Sequence, residues 1–294
     1  MIYICMPYYN EELVLRVRLD NGLYPDTRLC LVESDYTFKY GNKGYNFPGE
    51  LKDNPHIDYY QLDGRKKFLP NNKLSKLRLL KYRFSESAYK RTLSIPTWFN
   101  EARQRNYIAE KIHPLNSDYV ILCDVDEIVD MAKLDMILRE VDKREIVTCK
   151  LRFTMFYFDL FVQGWGGPED YSYRMFIMTG EYFNQLWCSS DEMRKAGERK
   201  QLLDKIYCID DFCGFHHSWL GDTETVLKKM RAYAHSFEEH TGTNEEFIDD
   251  CIRNGKPFFE GVSLKYDESI SLLPAVERLK ETRADLFWKN EKMV

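Results

Sequence analysis

Residues 118–128 read DYVILCDVDEI. Tyr119 to Cys123 is an unbroken apolar run, the length of a strand buried on both faces, and it leads directly into Asp124, Asp126 and Glu127. Strands of that kind belong to parallel sheets covered by helices, where ligands gather beyond the carboxyl ends of the strands. Asp124 and Asp126, two positions apart just past such an end, project from a turn and offer hard oxygen ligands suited to Mn²⁺ or Mg²⁺. The plainer reading is an acidic turn that caps a helix starting near Ile128. The apolar run before the turn and the density of acids within it favour the functional reading.

Working outward, Ile2 to Met6 is a short apolar strand ended by Pro7, and Asn10, Glu11 and Glu12 open a helix near Glu11. Leu29 to Val32 gives a second strand that closes on Glu33. A loop rich in Gly, Asn and Lys covers residues 39–55, and Ile57 to Leu62 gives a third strand. From Trp98 to Ile112 the spacing of Ala102, Tyr107, Ile108 and Ile112 predicts an amphipathic helix, closed by His113 and Pro114. Residues 146–162 are strand-like and aromatic, and they enter the glycine turn GWGGP at 164–168. Helices are expected over 223–239, 245–253 and 272–288. The alternation predicts an α/β fold with a mostly parallel central sheet flanked by helices and followed by a C-terminal helical extension. No repeat or linker divides it, so residues 1–294 are read as one domain.

Composition agrees with a globular enzyme: 44% of the 294 residues are hydrophobic, 30% charged and 15% aromatic. Aromatics at that level suit a cleft that stacks on sugar or base rings, although core filling accounts for most of them. The net charge is −5, yet residues 65–91 hold ten Lys or Arg against the single acid Glu86. That segment reads as a solvated helix face, and no nucleic-acid partner is expected. Eight cysteines are scattered, several within strand-like runs, which reads as buried free thiols in a reducing compartment. No apolar run reaches the roughly 20 residues that span a bilayer. Met1 opens directly on a strand pattern with no basic leader, so a cytoplasmic, microbial or viral protein is expected.

A second constellation, CIDDFCGFHHSW at 208–219, holds Cys208, Cys213, His216 and His217. Its irregular gaps weigh against a zinc clip. One of the histidines joining Asp126 on a metal, and histidines packed in the core, remain open as readings. Downstream, Lys228, Lys229 and Arg231 lie near the start of a helix with His235 and Glu238, placed either to meet a diphosphate or simply to face solvent.

Taken together, MPYYNEELVLRVRL at 6–19, LVESDYTF at 31–38, WFNEARQRNYI at 98–108, DYVILCDVDEI, GFHHSWLG at 214–221 and KMRAYAHSFE at 229–238 resemble glycosyltransferase family 17. These are the β-1,4-mannosyl-glycoprotein β-1,4-N-acetylglucosaminyltransferases. The resemblance spans residues 1 to about 260 and implies a GT-A fold with a nucleotide-sugar half to about 130 and an acceptor half and extension beyond, an inverting mechanism, a UDP-sugar donor and a glycan acceptor. It departs from the family at Val129, where Pro is usual, and at Phe215, where Trp is usual. Carried over position by position, it assigns Asp124, Val125 and Asp126 to the nucleotide sugar. The metal falls to Asp126 and His216, with Asp124 acting through water. Pro7, Asn10 and Glu33 fall to the donor site, Arg105 either approaches the diphosphate or braces the turn, and Lys229 joins the donor site from the downstream helix.

The reaction so implied is an in-line displacement that leaves a nucleoside diphosphate and needs a base on the opposite face of the sugar. By analogy with glycine-rich acceptor loops, Glu169 and Asp170 are the base candidates, Asp191 and Glu192 compete with them, and Trp165 is the acceptor platform. Two other classes remain: a metal-dependent phosphoryl-transfer or nuclease-like enzyme, and a non-catalytic carbohydrate-binding protein. The first explains the basic segment but not Glu33 or GFHHSW, and the second leaves the acids idle.

Overall fold

The computed structural model describes residues 1–38, 41–64, 96–164, 171–172, 174–185, 193–194, 206–232 and 244–288. The first half comprises β1 (Ile2–Tyr8), α1 (Glu12–Asp20), β2 (Thr27–Ser34), β3 (Ile57–Leu62), α2 (Pro96–Ala109), β4 (Tyr119–Leu122) and β5 (Glu127–Val129). After these come α3 (Met131–Val141), β6 (Ile146–Met155), β7 (Leu160–Gln163), β8 (Tyr171–Ser172), β9 (Phe176–Thr179) and α4 (Gly180–Gln185). The last are β10 (Ile206–Ser218), α5 (Thr223–Ala232), α6 (Glu245–Asn254), β11 (Ser263–Tyr266) and α7 (Pro274–Leu279).

All the strands join one sheet, whose main path runs β11-β7-β6-β9-β4-β1-β2-β3. β1 is parallel to β2 from Ile2↔Thr27 to Tyr8↔Glu33, and parallel to β4 from Ile2↔Tyr119 to Cys5↔Leu122. β2 in turn is parallel to β3. The carboxyl ends of β1, β2 and β4 therefore share one edge, where β2 carries Glu33 near its end and the loops after β1 and β4 carry Asn10 and Asp124. Beyond β4 the sheet becomes mixed: β9 is antiparallel to β4, whereas the long β10 is parallel to β6. This is the mixed α/β sheet, mostly parallel by paired length and flanked by helices, that the alternation of patterns predicts.

Helices cover both faces because successive strand residues point to opposite sides. Ile4, Met6, Leu29 and Leu31 pack with Val14, Leu15 and Val17 of α1, while Cys5, Cys30, Val120 and Leu122 pack with Ile108 and Ile112 on the other face. Leu15 and Leu31 are fully buried, a burial worth on the order of 2 kcal/mol each.

Several boundaries differ from the sequence reading for definable reasons. β1 runs through Pro7 to Tyr8, because β4 has already ended opposite Cys5 and the missing proline N–H removes no bond on that side. The strand-like stretch 146–162 is two strands, broken where Phe156 takes φ 67°. The helix expected over 272–288 ends at Leu279, and the chain turns so that Leu286 and Phe287 re-enter the core. The seven cysteines described are free thiols, all buried except the half-buried Cys208. Among the described residues no helix is long and apolar enough to cross a membrane.

Candidate active site

The Asp124–Glu127 turn is not a helix cap. It leads into β5, and the following helix is capped separately by Asp130, whose carboxylate accepts from Ala132 N at 3.0 Å. Glu127 is fully buried and closes the turn on itself, its Oε2 accepting from Asp124 N at 2.8 Å. From below, the buried Arg18 of α1 donates through Nη2 to the carbonyls of Asp124 at 3.2 Å, Val125 at 3.1 Å and Glu127. With three carbonyls drawn to one side, the acidic side chains are left to the other.

Asp124 and Asp126 leave the turn into different surroundings. Asp124 meets a fork from Arg105 of α2, with Nη1 to Oδ1 at 2.5 Å and Nη2 to Oδ2 at 3.3 Å. Arg194 adds a second cation at 2.5 Å from Oδ2 and also reaches Glu127 at 3.2 Å. Burial opposes ionisation of Asp124, but Arg105 and Arg194 outweigh it and hold the carboxyl well below the usual range. Glu101 completes the network, accepting from Arg105 Nε at 3.2 Å. Next to Arg105, Gln104 donates to the carbonyls of Tyr8 at 3.0 Å and Val32 at 2.7 Å, bracing the carboxyl ends of β1 and β2.

Asp126 is buried on the side of α5 and β10. Its Oδ2 is 3.0 Å from Lys229 Nζ, and its Oδ1 is 3.6 Å from His216 Nε2. Burial again opposes ionisation, and Lys229 reverses the balance, so the Asp126 carboxyl is held low. Lys229 is correspondingly raised against burial by Asp126 and Glu11. His216 is brought here by the β5–β10 ladder, which places it opposite Glu127, and its ring stacks on Phe153 at 4.6 Å. Burial is the main reason its pKa falls to about 4, so the imidazole is neutral at physiological pH and retains a nitrogen lone pair for a metal.

A cavity of about 580 Å³ opens beside Asp126 and Lys229. Its walls include Asn10 and Glu11 from the β1 loop, Tyr157, His217, Trp219 and Asp249. Glu11 is half-buried there and ties its own loop, one oxygen accepting from Tyr9 N at 2.8 Å and Asn10 N at 3.1 Å.

Of the other residues singled out from the sequence, Val125 is buried in the core and Pro7 lies within β1. Glu33 is fully buried and accepts from Lys43, from Asn46 N at 2.8 Å, from Phe47 N at 3.2 Å and from the Tyr59 hydroxyl at 2.7 Å. Four donors fill the four acceptor positions of a carboxylate, so Glu33 pins the 43–47 loop to the sheet. Trp165, Glu169, Asp170, Asp191, Glu192, His235, Glu238 and the basic segment 65–91 lie outside the described residues. CIDDFCGFHHSW forms most of β10 rather than a zinc clip. Among the described residues, no group of three or more His, Cys, Asp or Glu side chains is gathered to hold a metal ion.

Sequence reasoning missed Arg18 and Arg194. Arg18 had a signal: it falls three and four positions after Leu15 and Val14, on the buried stripe of α1, where a charge needs a buried partner. Arg194 had none.

No family model and no curated protein matches the chain. Among solved structures, it is similar to S. aureus TarS 1–349 at 11% identity and a TM-score of 0.40, over 85% of this chain and 69% of that one. It is similar to apo mouse xyloside xylosyltransferase 1 at 11% identity and 0.30, over 69% and 74% of the two chains. To the galactosyltransferase LgtC in complex with donor and acceptor sugar analogs it is similar at 12% identity and 0.33, over 99% and 98%. Likeness at these scores leaves the chemistry of this chain to be argued from its own residues.

Proposed function

We propose that the protein is an inverting glycosyltransferase that moves a sugar from a UDP-sugar to a glycan hydroxyl with the help of Mn²⁺ or Mg²⁺. The observation that carries this reading is Asp126, set between neutral His216 and cationic Lys229 at the mouth of the cavity, beyond the carboxyl ends of β1 and β4. The 3.6 Å between Asp126 Oδ1 and His216 Nε2 is too long for a hydrogen bond. It suits two ligands of one ion, since bonds of about 2.1 Å place neighbouring donors roughly 3 to 4 Å apart. Asp126 would hold either manganese or magnesium through its carboxylate, and the imidazole of His216 beside it would favour manganese of the two. When bound, the ion neutralises charge on the departing diphosphate.

The side chains divide the remaining work. Lys229 supplies a fixed positive charge to the leaving group, and Arg105 and Arg194 hold Asp124 on the nucleotide side. Asn10 meets the donor from the β1 loop, at the strand end that Pro7 helps to shape, and Val125 anchors the turn. Glu33 serves the nucleoside side through the 43–47 loop that it pins. A bond forms from the acceptor oxygen to the anomeric carbon as the bond from that carbon to the diphosphate oxygen breaks. The electron pair leaves with UDP, and the hydroxyl proton passes to a carboxylate, for which Glu169 and Asp170 stand as candidates. Trp165 is the proposed platform for the acceptor ring.

N-acetylglucosamine is the sugar favoured by the resemblance, and xylose, glucose and galactose are the competitors. Incubation with a panel of UDP-sugars and Mn²⁺, without acceptor, tests the reading. Slow metal-dependent release of UDP from one member is expected, and release from none would overturn it. A phosphoryl-transfer enzyme with paired metals is disfavoured because both oxygens of Asp124 are taken by two guanidiniums, leaving Asp126, on the cavity wall, as the acid of the pair with an oxygen not bound to a cation among the described residues.

A further inference from the structure

His217 is not used by the mechanism above, yet it is among the most constrained polar residues of the site. Its side chain is 1% exposed, its backbone N–H donates to Asp126 O at 2.8 Å, and it lines the cavity. The ring is stacked on Phe215 at 5.2 Å and met edge-on by Phe158 at 4.8 Å. Nδ1 is 2.8 Å from the hydroxyl of Thr154, while the buried Nε2 has no partner among the described residues.

Hydrogen bookkeeping decides which nitrogen carries the proton. If Nδ1–H donated to Thr154, the threonine hydroxyl proton and the Nε2 lone pair would both lack partners among the described residues. If the threonine donates to Nδ1, a single group is left over, the Nε2–H. Buried donors without acceptors are costly, so the second arrangement is the stable one. The site thus holds a fixed donor beside Asp126 with no acceptor for it among the described residues.

We infer that His217 is a ligand-facing donor whose Nε2–H pairs with an oxygen of the molecule seated in the cavity beside Asp126. The identity of that oxygen rests on the glycosyl-transfer reading: it belongs to the diphosphate or to a hydroxyl of the transferred sugar. Calorimetry with Mn²⁺ and either UDP or UDP-N-acetylglucosamine, on the parent, His217→Phe and His217→Gln, separates the two. Phenylalanine fits the same aromatic slot without the donor, and glutamine returns an N–H close to Nε2.

The expected result is a roughly tenfold or greater loss of affinity in His217→Phe, partly recovered in His217→Gln. Loss for both ligands assigns the diphosphate, and loss for the nucleotide sugar alone assigns the sugar. Unchanged affinity of His217→Phe for both overturns the inference. Should that variant fail to fold, His217→Leu takes its place beside the glutamine variant; equal affinity of parent and His217→Leu for both ligands would overturn the inference. Nitrogen NMR of the unliganded parent gives an independent decision. Protonated Nε2 supports the inference and protonated Nδ1 overturns it, even if a parent that binds neither ligand has already removed the glycosyl-transfer reading.

Discussion

At the scale of single residues, the two aspartates of one short turn do different work because their surroundings differ. Asp124 neutralises two guanidiniums, so Asp124→Asn leaves both arginines short of their counter-charge. It is expected to destabilise the fold by about 3 kcal/mol in urea unfolding. Asp126→Asn removes a partner of one lysine and is expected to cost less stability but more ligand affinity. The acid dependence of Asp124 follows the sign of its shift. Its folded pKa is depressed, so its contribution is complete above the ordinary carboxylate value near 4 and is lost as the pH falls below it. Asp124→Asn should therefore flatten stability against pH below about 4; an unchanged slope there would contradict the pairing.

At the scale of elements, Arg18 of α1 hydrogen-bonds three carbonyls of the turn after β4, over more than a hundred residues of sequence. Replacing it by Met removes donors from three carbonyls, and the 124–127 amides should then exchange hydrogen faster while distant β2 amides do not. Arg18→Lys, which can still offer three N–H groups, should restore most of the protection. How far such elements were legible varied with the kind of signal they gave. β4 and the turn after it were readable because an apolar run ended on three acids. α2 was readable from its stripe. β10 was not, because the charged Asp210 and Asp211 interrupt its apolar pattern, and the strand absorbs them through shifts in register between Ile209 and Phe215. His216 drew notice through the resemblance and Lys229 through its basic helix, though as a diphosphate contact rather than a neighbour of Asp126, whereas Arg194 lies in a stretch with no period to read.

At the scale of the whole molecule, one sheet passes through both halves of the chain and gathers the site from α1, α2, the β4–β5 turn, β10 and α5. Burying two neutral histidines in that sheet has a global consequence. Both pKa values are depressed, to about 4 for His216 and about 3 for His217, so the unfolded chain binds protons below pH 6.5 that the folded one refuses. Stability is then complete above pH 6.5 and falls on acidification by up to about 1.4 kcal/mol per pH unit for each histidine. Thermal unfolding between pH 7 and 5 checks this, and His217→Phe should roughly halve the slope.

The central claim is that Asp126 joins a divalent ion to a nucleoside diphosphate, and calorimetric titration of UDP in the presence and absence of Mn²⁺ tests it most directly. The account predicts metal-dependent binding to the parent and at least a tenfold weaker association with Asp126→Ala. UDP binding that ignores Mn²⁺, or that survives Asp126→Ala at full strength, would contradict it.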